Sequence, residues 1–559
     1  VIWVLRDPLR FAEERREIEA LEAASPWLTI TNWRLLPGGD VGVEFDIDLG
    51  HAVFDGRMSY PQSFPSIPPS VRPRTEVRWS RLHQWGAAGE LCLEHGPDNW
   101  TPATTGADMI ASTHRLLVAE LREIETTEPV PTRHTVTTGQ ALRSDARRLI
   151  ATAALEARLA DMAGHLPATF SIRYRTGGWL AVLVTLDGED EWIDSGIPQP
   201  LADAGVTVRG WVGAVPSKPT GLTGSAEALR TCVLGASAAE DAEDEVILCR
   251  TPNGDLHAAY LLNKSDIAVE LAVVPAEPRV RLDAGHAALA SRSVGLVGCG
   301  SLGSKIAASL ARSGVGRFVL LDDDVLRPGN LVRHELDWSS VGRHKADALA
   351  ERLKLVNPAV VAESRRHRLG GQEANGALDG AVTQLAGCDL IIDATANGRA
   401  FNYAAAAAAE GGRTMVWAEV FGGGFGGLVA RSRPGLEPDP QMCRARIEQW
   451  CRDQNAVPPR AGADYDGTRG DVTMIADDAA VATMAAHAAS MALDALLQRD
   501  DSRFPHGAYM VGMAQEWIFG QPFEVHPIDL GEPASVASPN FDDTAITAAL
   551  ADLSKLLGT

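Results

Sequence analysis

Gly298, Gly300 and Gly303 form a GxGxxG run, CGSLGSK, between the apolar stretch SVGLV and a helical pattern. In that setting backbone N–H groups can approach a phosphate at the positive end of a helix. Asp322 lies nineteen residues past Gly303 at the end of the next apolar run, where a carboxylate can accept hydrogen bonds from ribose hydroxyls. The glycines alone are compatible with NAD, FAD or ATP, or with a tight turn that holds nothing. The following stretch separates these readings. DDDVLRPGNLVRH supplies Asp324, Asn330 and Arg333, and VGRHKADALAERL supplies Lys345. Hydride transfer has no use for such cations. Transfer of a nucleotide to a carboxylate does, because negative charge grows on the α-phosphate and on the departing pyrophosphate. Taken singly, Arg333 and Lys345 would be surface charges.

Cysteines mark a second possible chemistry. Cys92 stands in GELCLEHGPDNWTP, with YPQSFPSIPPSV ahead of it and Trp100 and Pro102 behind. A lone cysteine is usually a small buried apolar group, and half of a metal site is an alternative reading of CLEH; as a thiolate, Cys92 would be a nucleophile able to carry an acyl group. Cys443 and Cys451, in DPQMCRARIEQWCRDQN, are two further candidates, whereas Cys299 and Cys388 read as internal.

The elements that position these groups change character along the chain. Residues 11–25 predict an amphipathic helix, and TITNWRLL, VGVEFDIDL and HAVFDGRMSY alternate like an antiparallel meander. The Pro-rich YPQSFPSIPPSVRPR breaks regular structure, and 107–125 is again helical. EPVPTRHTVTTG (128–139) reads as a linker and 144–166 as one helix. The middle region, 168–285, holds strand-like runs without a motif for chemistry, and its acidic AEDAEDE (239–245) reads as a solvated loop. From Ser291 onward strand, glycine turn, helix and strand alternate, which predicts a parallel sheet, with CDLIIDA and RTMVWAEVF as further strands.

The chain has 559 residues and a formal charge of −22, so several domains are expected and binding to nucleic acid or to anionic membranes is not. Seven scattered cysteines without a CxxC pair fit a reducing, cytoplasmic setting. The opening VIWVLRDPLRFAEERRE does not read as a signal peptide, and YAAAAAAE (403–410) is too short to span a bilayer.

The residues 291–427, with VGLVGCGSLGSKIAASLARSGVGRFVLLDDDVLRPGNLVRHEL, GRHKADALAERLKLVNP and DLIIDATAN, strongly resemble the ThiF-type adenylation domain shared by ubiquitin-activating enzymes and by bacterial thiamin and molybdopterin activators. The resemblance implies that Asp322 holds a ribose, that Asn330, Arg333 and Lys345 surround the phosphates of ATP, and that Asp393 helps to place Mg²⁺. The family usually carries a second Asp where this chain has Ala396, and its zinc-binding cysteine pairs are missing.

Residues 1–125 resemble ubiquitin-conjugating enzymes, in which a YPxxxP segment precedes the catalytic cysteine and Trp-x-Pro follows it. By that resemblance Cys92 accepts a small protein as a thioester. The family's His-Pro-Asn is here His83, Gln84 and Trp85, with Gln84 a candidate donor and His95 a candidate base. The two halves together resemble the fused enzymes of bacterial antiphage operons of the CBASS type, in which a cysteine on a crossover loop, here Cys451 or Cys443, carries the first thioester.

The expected architecture is therefore a multidomain α/β and α+β chain. It has a ubiquitin-conjugating-like α+β domain (1–127), a linker and helix (128–167), a mixed α/β middle domain (168–285) and a Rossmann-like adenylation domain (286–559). Expected partners are ATP, Mg²⁺, a ubiquitin-like protein or C-terminal tail, a target with an acceptor amine, and a second copy of the chain. Three other readings stay open: an adenylyltransferase acting on a sulfur carrier or peptide, with a non-catalytic N-terminal domain; an NAD-dependent oxidoreductase; and a scaffold without activity.

Overall fold

In a computed structural model of the protein, the described residues are all except 1, 76–78, 80–82, 86–88, 98, 127–136, 161, 163, 176–177, 188–190, 236–242, 277–283, 372–374, 457–467, 470–471, 474, 499–500, 534–542 and 558–559. They form two compact units, Val1–Ser144 and Asp145–Thr559. Most of the expected linker at 128–139 and most of the acidic run at 239–245 lie outside the described residues.

In the first unit α1 (Trp3–Arg6) leads into α2 (Pro8–Ala24), whose N-cap Asp7 accepts a hydrogen bond from the Arg10 N–H. The expected meander follows as β1 (Leu28–Leu35), β2 (Val41–Asp48) and β3 (Val53–Tyr60). The Pro-rich segment is not irregular throughout. Its end forms β4 (Ser70–Pro73) on the sheet edge beside β3, where a Pro costs no ladder bond. A small hairpin, β5 (Gln84–Trp85) and β6 (Glu90–Leu91), precedes α3 (Gly106–Thr126) and α4 (Thr138–Ala141). The core is made by Phe45, Phe54 and Met58 of the sheet with Ile18 of α2 and Ile110 of α3. Each such fully buried apolar side chain contributes about 1.5–3 kcal/mol.

The second unit opens with a departure from the sequence reading. The single helix expected over 144–166 is β7 (Arg147–Ile150), α5 (Ala153–Ala160) and the start of β8 (His165–Arg175). Leu149, Leu155 and Leu159 do share one core, but from a strand and a helix. There follow β9 (Gly178–Leu186), β10 (Trp192–Ile193), α6 (Gln199–Ala202), β11 (Val206–Ala214), α7 (Ala226–Leu234), β12 (Glu245–Arg250), β13 (Leu256–Leu262) and β14 (Ile267–Val274). The strands run β9-β7-β14-β13-β12-β11-β8, and β8 pairs back onto β9, so the sheet closes into a ring. All seven strands send side chains into one interior core, while α7 packs outside against β12–β14.

The sheet that positions the chemistry is built from β15 (Ser293–Val297), β16 (Arg317–Leu321), β17 (Val361–Arg365), β18 (Leu390–Asp393), β19 (Thr414–Val420) and β20 (Gly426–Ser432). Its helices are α8 (Ser301–Arg312), α9 (Lys345–Val356), α10 (Asn375–Ala386), α11 (Gly398–Gly411) and α12 (Pro440–Asp453). A two-residue pair, β21 (Thr468–Arg469) and β22 (Val472–Thr473), then α13 (Asp478–Leu497), β23 (Ala508–Gly512), β24 (Val525–Ile528) and α14 (Asp543–Leu557) complete it. The order is β17-β16-β15-β18-β19-β20-β23-β24, parallel from β17 to β19 and antiparallel beyond. Strand order reverses at β15, with β16 on one side and β18 on the other, and such a switch point opens a crevice at the carboxyl ends. Helices α8, α9 and α13 cover one face, and α10, α11 and α12 the other. α13 is long and apolar enough to cross a membrane, yet it packs against α8, β19 and β20, with Met484, Ala488 and Met491 buried in the core.

Candidate active site

The glycine turn at the end of β15 needs its three glycines for different reasons. Gly298 has φ +89°, and a Cβ there would meet Thr395 Cγ2 at 2.9 Å. A Cβ on Gly303 would stand 1.9 Å from the Gly298 carbonyl oxygen. Gly300, with φ −72°, would meet nothing within 4 Å and caps α8 without a side-chain hydrogen bond. The protein's own packing therefore requires Gly298 and Gly303, while Gly300 keeps space open above a helix N-terminus. Gly303→Ala is expected to destabilise the protein by about 1–3 kcal/mol. Gly300→Ala should leave the denaturation midpoint in place and weaken nucleotide binding, a contrast that urea titration and calorimetry on the two variants will register.

Asp322 accepts hydrogen bonds from the Cys299 N–H (2.7 Å) and the Asp324 N–H (2.8 Å), which ties the end of β16 to the glycine turn. Burial raises its pKa, against the two backbone donors and the Lys345 charge. The loop that follows is fastened to the start of α9. The Leu326 N–H donates to the Arg343 carbonyl and the Lys345 N–H to the Asp324 carbonyl, each at 2.9 Å, and Val325 forms a bridge with His344. Lys345 is 8% exposed, and its Nζ donates to Asp324 Oδ2 at 2.5 Å. Desolvation would raise the Asp324 carboxyl, but the Lys345 hydrogen bond and charge prevail and its pKa is lowered. Asn330 Oδ1 accepts from the Arg327 N–H and so shapes the turn that carries Arg333. Gly298, Gly300, Asp322, Asp324, Asn330, Arg333 and Lys345 line a single cavity of about 620 Å³. The sequence motifs, separated by many residues, thus converge on one place.

Other lining groups were not singled out in the sequence. Arg327 and Arg368 add cations, Glu419 at the end of β19 adds a carboxylate, and His334 and His367 add imidazoles. His334 follows Arg333 directly, and its position in the NLVRH run was the only signal available. Its Nδ1 accepts from the Leu336 N–H (3.1 Å), so Nε2 holds the proton and donates to the Cys299 carbonyl at 2.9 Å. A neutral ring thereby clamps the glycine turn. Burial, with Lys345 and Lys305 nearby, pushes its pKa down from 6.5 to about 4. The unfolded ring takes up its proton first, so this contribution to stability is complete above about pH 6.5 and is lost as pH falls towards 4. An amide can make both bonds without titrating. Relative to His334→Gln, the native protein should lose roughly 3 kcal/mol between pH 7 and pH 4 in urea denaturation.

Asp393 does not line the cavity. It is 3% exposed, its Oδ1 accepts from the Thr395 N–H and hydroxyl, and burial pushes its pKa up to about 6. Glu419, raised by burial and facing the same Arg444 charge, is the carboxylate that reaches the cavity from this side. Ala396 lines it too, with φ +51°, a conformation that suits Asp, Asn or Gly better.

Cys443 and Cys451 are not on a crossover loop. Both lie on α12, each about one helical turn from Ile447 along a single buried stripe, and both are fully buried. Burial raises the thiols to about 12 and about 11, so neither is poised as a thiolate. Cys299 and Cys388 are buried as expected.

In the first unit Cys92 is 8% exposed just past β6, and its N–H donates to the His83 carbonyl at 2.7 Å. The Gln84 side-chain oxygen accepts from the Trp79 N–H (2.8 Å), and His83 Nε2 lies 3.8 Å from Glu120 Oε1. His95 sits half-buried in the bend after Cys92. Trp100 donates its Nε1–H to the Pro65 carbonyl at 2.7 Å, so the two motif segments flanking the cysteine meet in space.

The ThiF family model matches residues 278–509. The sulfur carrier protein ThiS adenylyltransferase of Escherichia coli K12 is 31% identical over 183 residues, which cover 32% of this chain and 69% of that protein. The chain belongs to the ThiF family. It is also similar to the ATP-dependent ubiquitin transferase-like protein Cap2 of Enterobacter hormaechei, 49% identical over 74 residues, 13% of this chain and 12% of Cap2. Escherichia coli MccB, solved with ATP, is similar with a TM-score of 0.35 and 14% identity, covering 45% of this chain and 67% of MccB. The chain spans about a quarter of the length of further curated relatives that it matches. The ThiF-family domain accounts for the Rossmann-like sheet and the glycine turn; the ring of strands β7 to β14 lies before the matched residues.

Proposed function

We propose that this chain adenylates the C-terminal carboxylate of a small or ubiquitin-like protein with ATP, passes the acyl group to Cys92 as a thioester, and delivers it to an amine on a target protein. The observation that carries this reading is the meeting of the glycine turn with Arg333 and Lys345 in one cavity. The carboxylate oxygen attacks the α-phosphorus, the bond to pyrophosphate breaks, and an acyl adenylate forms. Arg333 and Lys345, with Arg327 and Arg368, offset the charge that develops on the phosphates. Mg²⁺, which supplies charge neutralisation to bound triphosphates, would be held on the protein side by Glu419 and the acidic loop after β16, since these carboxylates line the cavity and Asp393 does not.

The thiolate of Cys92 then attacks the acyl carbon and AMP leaves. The Cys443 and Cys451 thiols are pushed up to about 12 and about 11, which favours direct transfer from the adenylate to Cys92 over an intermediate thioester on either of them. Relatives named as adenylyltransferase and as ubiquitin transferase-like support the activation step and the protein nature of the substrate. A role in bacterial antiviral defence, a cytoplasmic location and a homodimer complete the proposal. The test is ATP–pyrophosphate exchange by the full chain with a small protein ending in glycine. Exchange is expected, and it should cease when the carboxyl terminus of that protein is amidated. Exchange that is absent with the intact partner and ATP overturns the reading.

A further inference from the structure

We infer that His83 takes the proton from the Cys92 thiol and that Glu120 holds His83 for this step, a relay that deepens the thioester reading above and rests on it. The β5–β6 hairpin sets the geometry. Gln84 stands opposite Leu91 and Trp85 opposite Glu90. The Cys92 N–H donates to the His83 carbonyl at 2.7 Å, which carries the ladder one pair further and sets His83 opposite Cys92. Facing residues of an antiparallel pair project their side chains to the same side, with Cβ atoms about 4.5–5.5 Å apart. At that separation an imidazole and a thiol are within reach of each other. Leu91, the residue before the cysteine, turns the other way and joins the core.

Helix α3 completes the arrangement. Its Glu120 brings Oε1 to 3.8 Å from His83 Nε2, within ion-pair reach, and the two side chains are 12% and 3% exposed. A carboxylate beside an imidazole fixes the ring's orientation and stabilises the imidazolium that forms. With Nε2 on the Glu120 side, the ring presents Nδ1, the nitrogen nearer its Cβ, as the acceptor for the thiol proton. Nucleophile, base and orienting group then stand in the order that activates a nucleophile. Nearby ionisable groups are otherwise placed. Glu94 is committed to Arg115 of α3, His114 of α3 stacks on Trp27 with ring centroids 3.9 Å apart, Glu90 lies part-exposed one ladder pair beyond Trp85's face of the hairpin turn, and His95 sits in the bend that follows. In the step itself the thiol proton passes to Nδ1 and the sulfur attacks the acyl carbon of the adenylate. The bond from that carbon to the phosphate oxygen breaks, AMP leaves with its electron pair, and the imidazolium returns the proton to solvent.

The experiment needs no partner protein. Alkylation of Cys92 by iodoacetamide is followed by peptide mass spectrometry across a pH series, in the full chain carrying Cys232→Ser to remove an exposed thiol, and in the same background with His83→Gln or Glu120→Gln. His83→Gln should raise the midpoint of the alkylation profile by about one pH unit, about a tenfold loss of rate near neutral pH. Glu120→Gln should raise it too, by a smaller amount. That sign separates a relay from a bystander, because a carboxylate that acted only as a nearby negative charge would hold the thiol protonated, and its removal would lower the midpoint. A midpoint unmoved by His83→Gln, or lowered by Glu120→Gln, overturns the inference; if His83→Gln does not fold, the direction of the Glu120→Gln shift decides. A native chain whose variants shift as expected, yet which forms no reductant-sensitive adduct with ATP and a small protein ending in glycine, would instead overturn the thioester reading, with the pairing of thiol and imidazole intact.

Discussion

Lys345→Ala and Arg333→Ala are each expected to reduce ATP–pyrophosphate exchange by about a hundred- to a thousandfold, the loss that follows removal of one preorganised charge from a developing oxyanion. Lys345 is the stronger case. It is nearly buried, it starts α9, and both its backbone and its side chain are held to Asp324. A charge fixed in this way needs no reorganisation when pyrophosphate departs. Removing it leaves Asp324 without its cation, but that carboxylate is half exposed and can be rehydrated, so the fold should survive and a thermal melt should change little. Lys345→Arg, with a longer and planar head, should restore only part of the rate. Exchange that persists within tenfold in Lys345→Ala would show that this cation does not serve the transition state.

Cys92→Ala should eliminate the reductant-sensitive adduct between the chain and its small-protein partner, and leave pyrophosphate exchange at the native rate. Adenylation needs only the ThiF-family site, whereas the thioester needs a nucleophile. Cys443→Ala and Cys451→Ala should leave both signals intact, because a buried thiol with its pKa pushed to about 12 or about 11 contributes almost no thiolate near pH 7. A non-reducing gel separates the outcomes. Loss of the Cys92 adduct on substitution of Cys451 would mean that α12 unpacks during turnover. An adduct that survives in Cys92→Ala would assign the N-terminal unit to docking rather than transfer.

The glycine turn, Asp322 and the Asn330–Lys345 segment were legible in the sequence because each is a local motif whose spacing is dictated by one strand, one turn and one helix. The rest of the cavity was not. Arg368, His367 and Glu419 reach it from the ends of β17 and β19, and only the order of strands in the sheet makes those ends neighbours of β15 and β16. Asp393 was placed at the site by the family resemblance, but its carboxylate is held by the Thr395 N–H and hydroxyl and does not line the cavity. For Cys443 and Cys451 the signal was present. Together with Ile447 they recur every four residues, the spacing of a helix's inner face, and that period outweighs the analogy with a loop. The helix expected over 144–166 failed for the opposite reason, since Leu149, Leu155 and Leu159 satisfy a helical period while the first of them sits on a strand.

The closed ring of the middle module has a bearing on how the protein is made. Leu149 of β7 pairs with Val273 of β14, the first strand with the last, so the ring cannot shut until nearly the whole module has left the ribosome. Until then β7 presents a raw edge while the N-terminal unit, whose neighbouring strands are consecutive, is free to finish folding. Nascent chains that stall before Val274 should therefore carry one completed unit and one sticky, unfinished barrel, a natural substrate for chaperones.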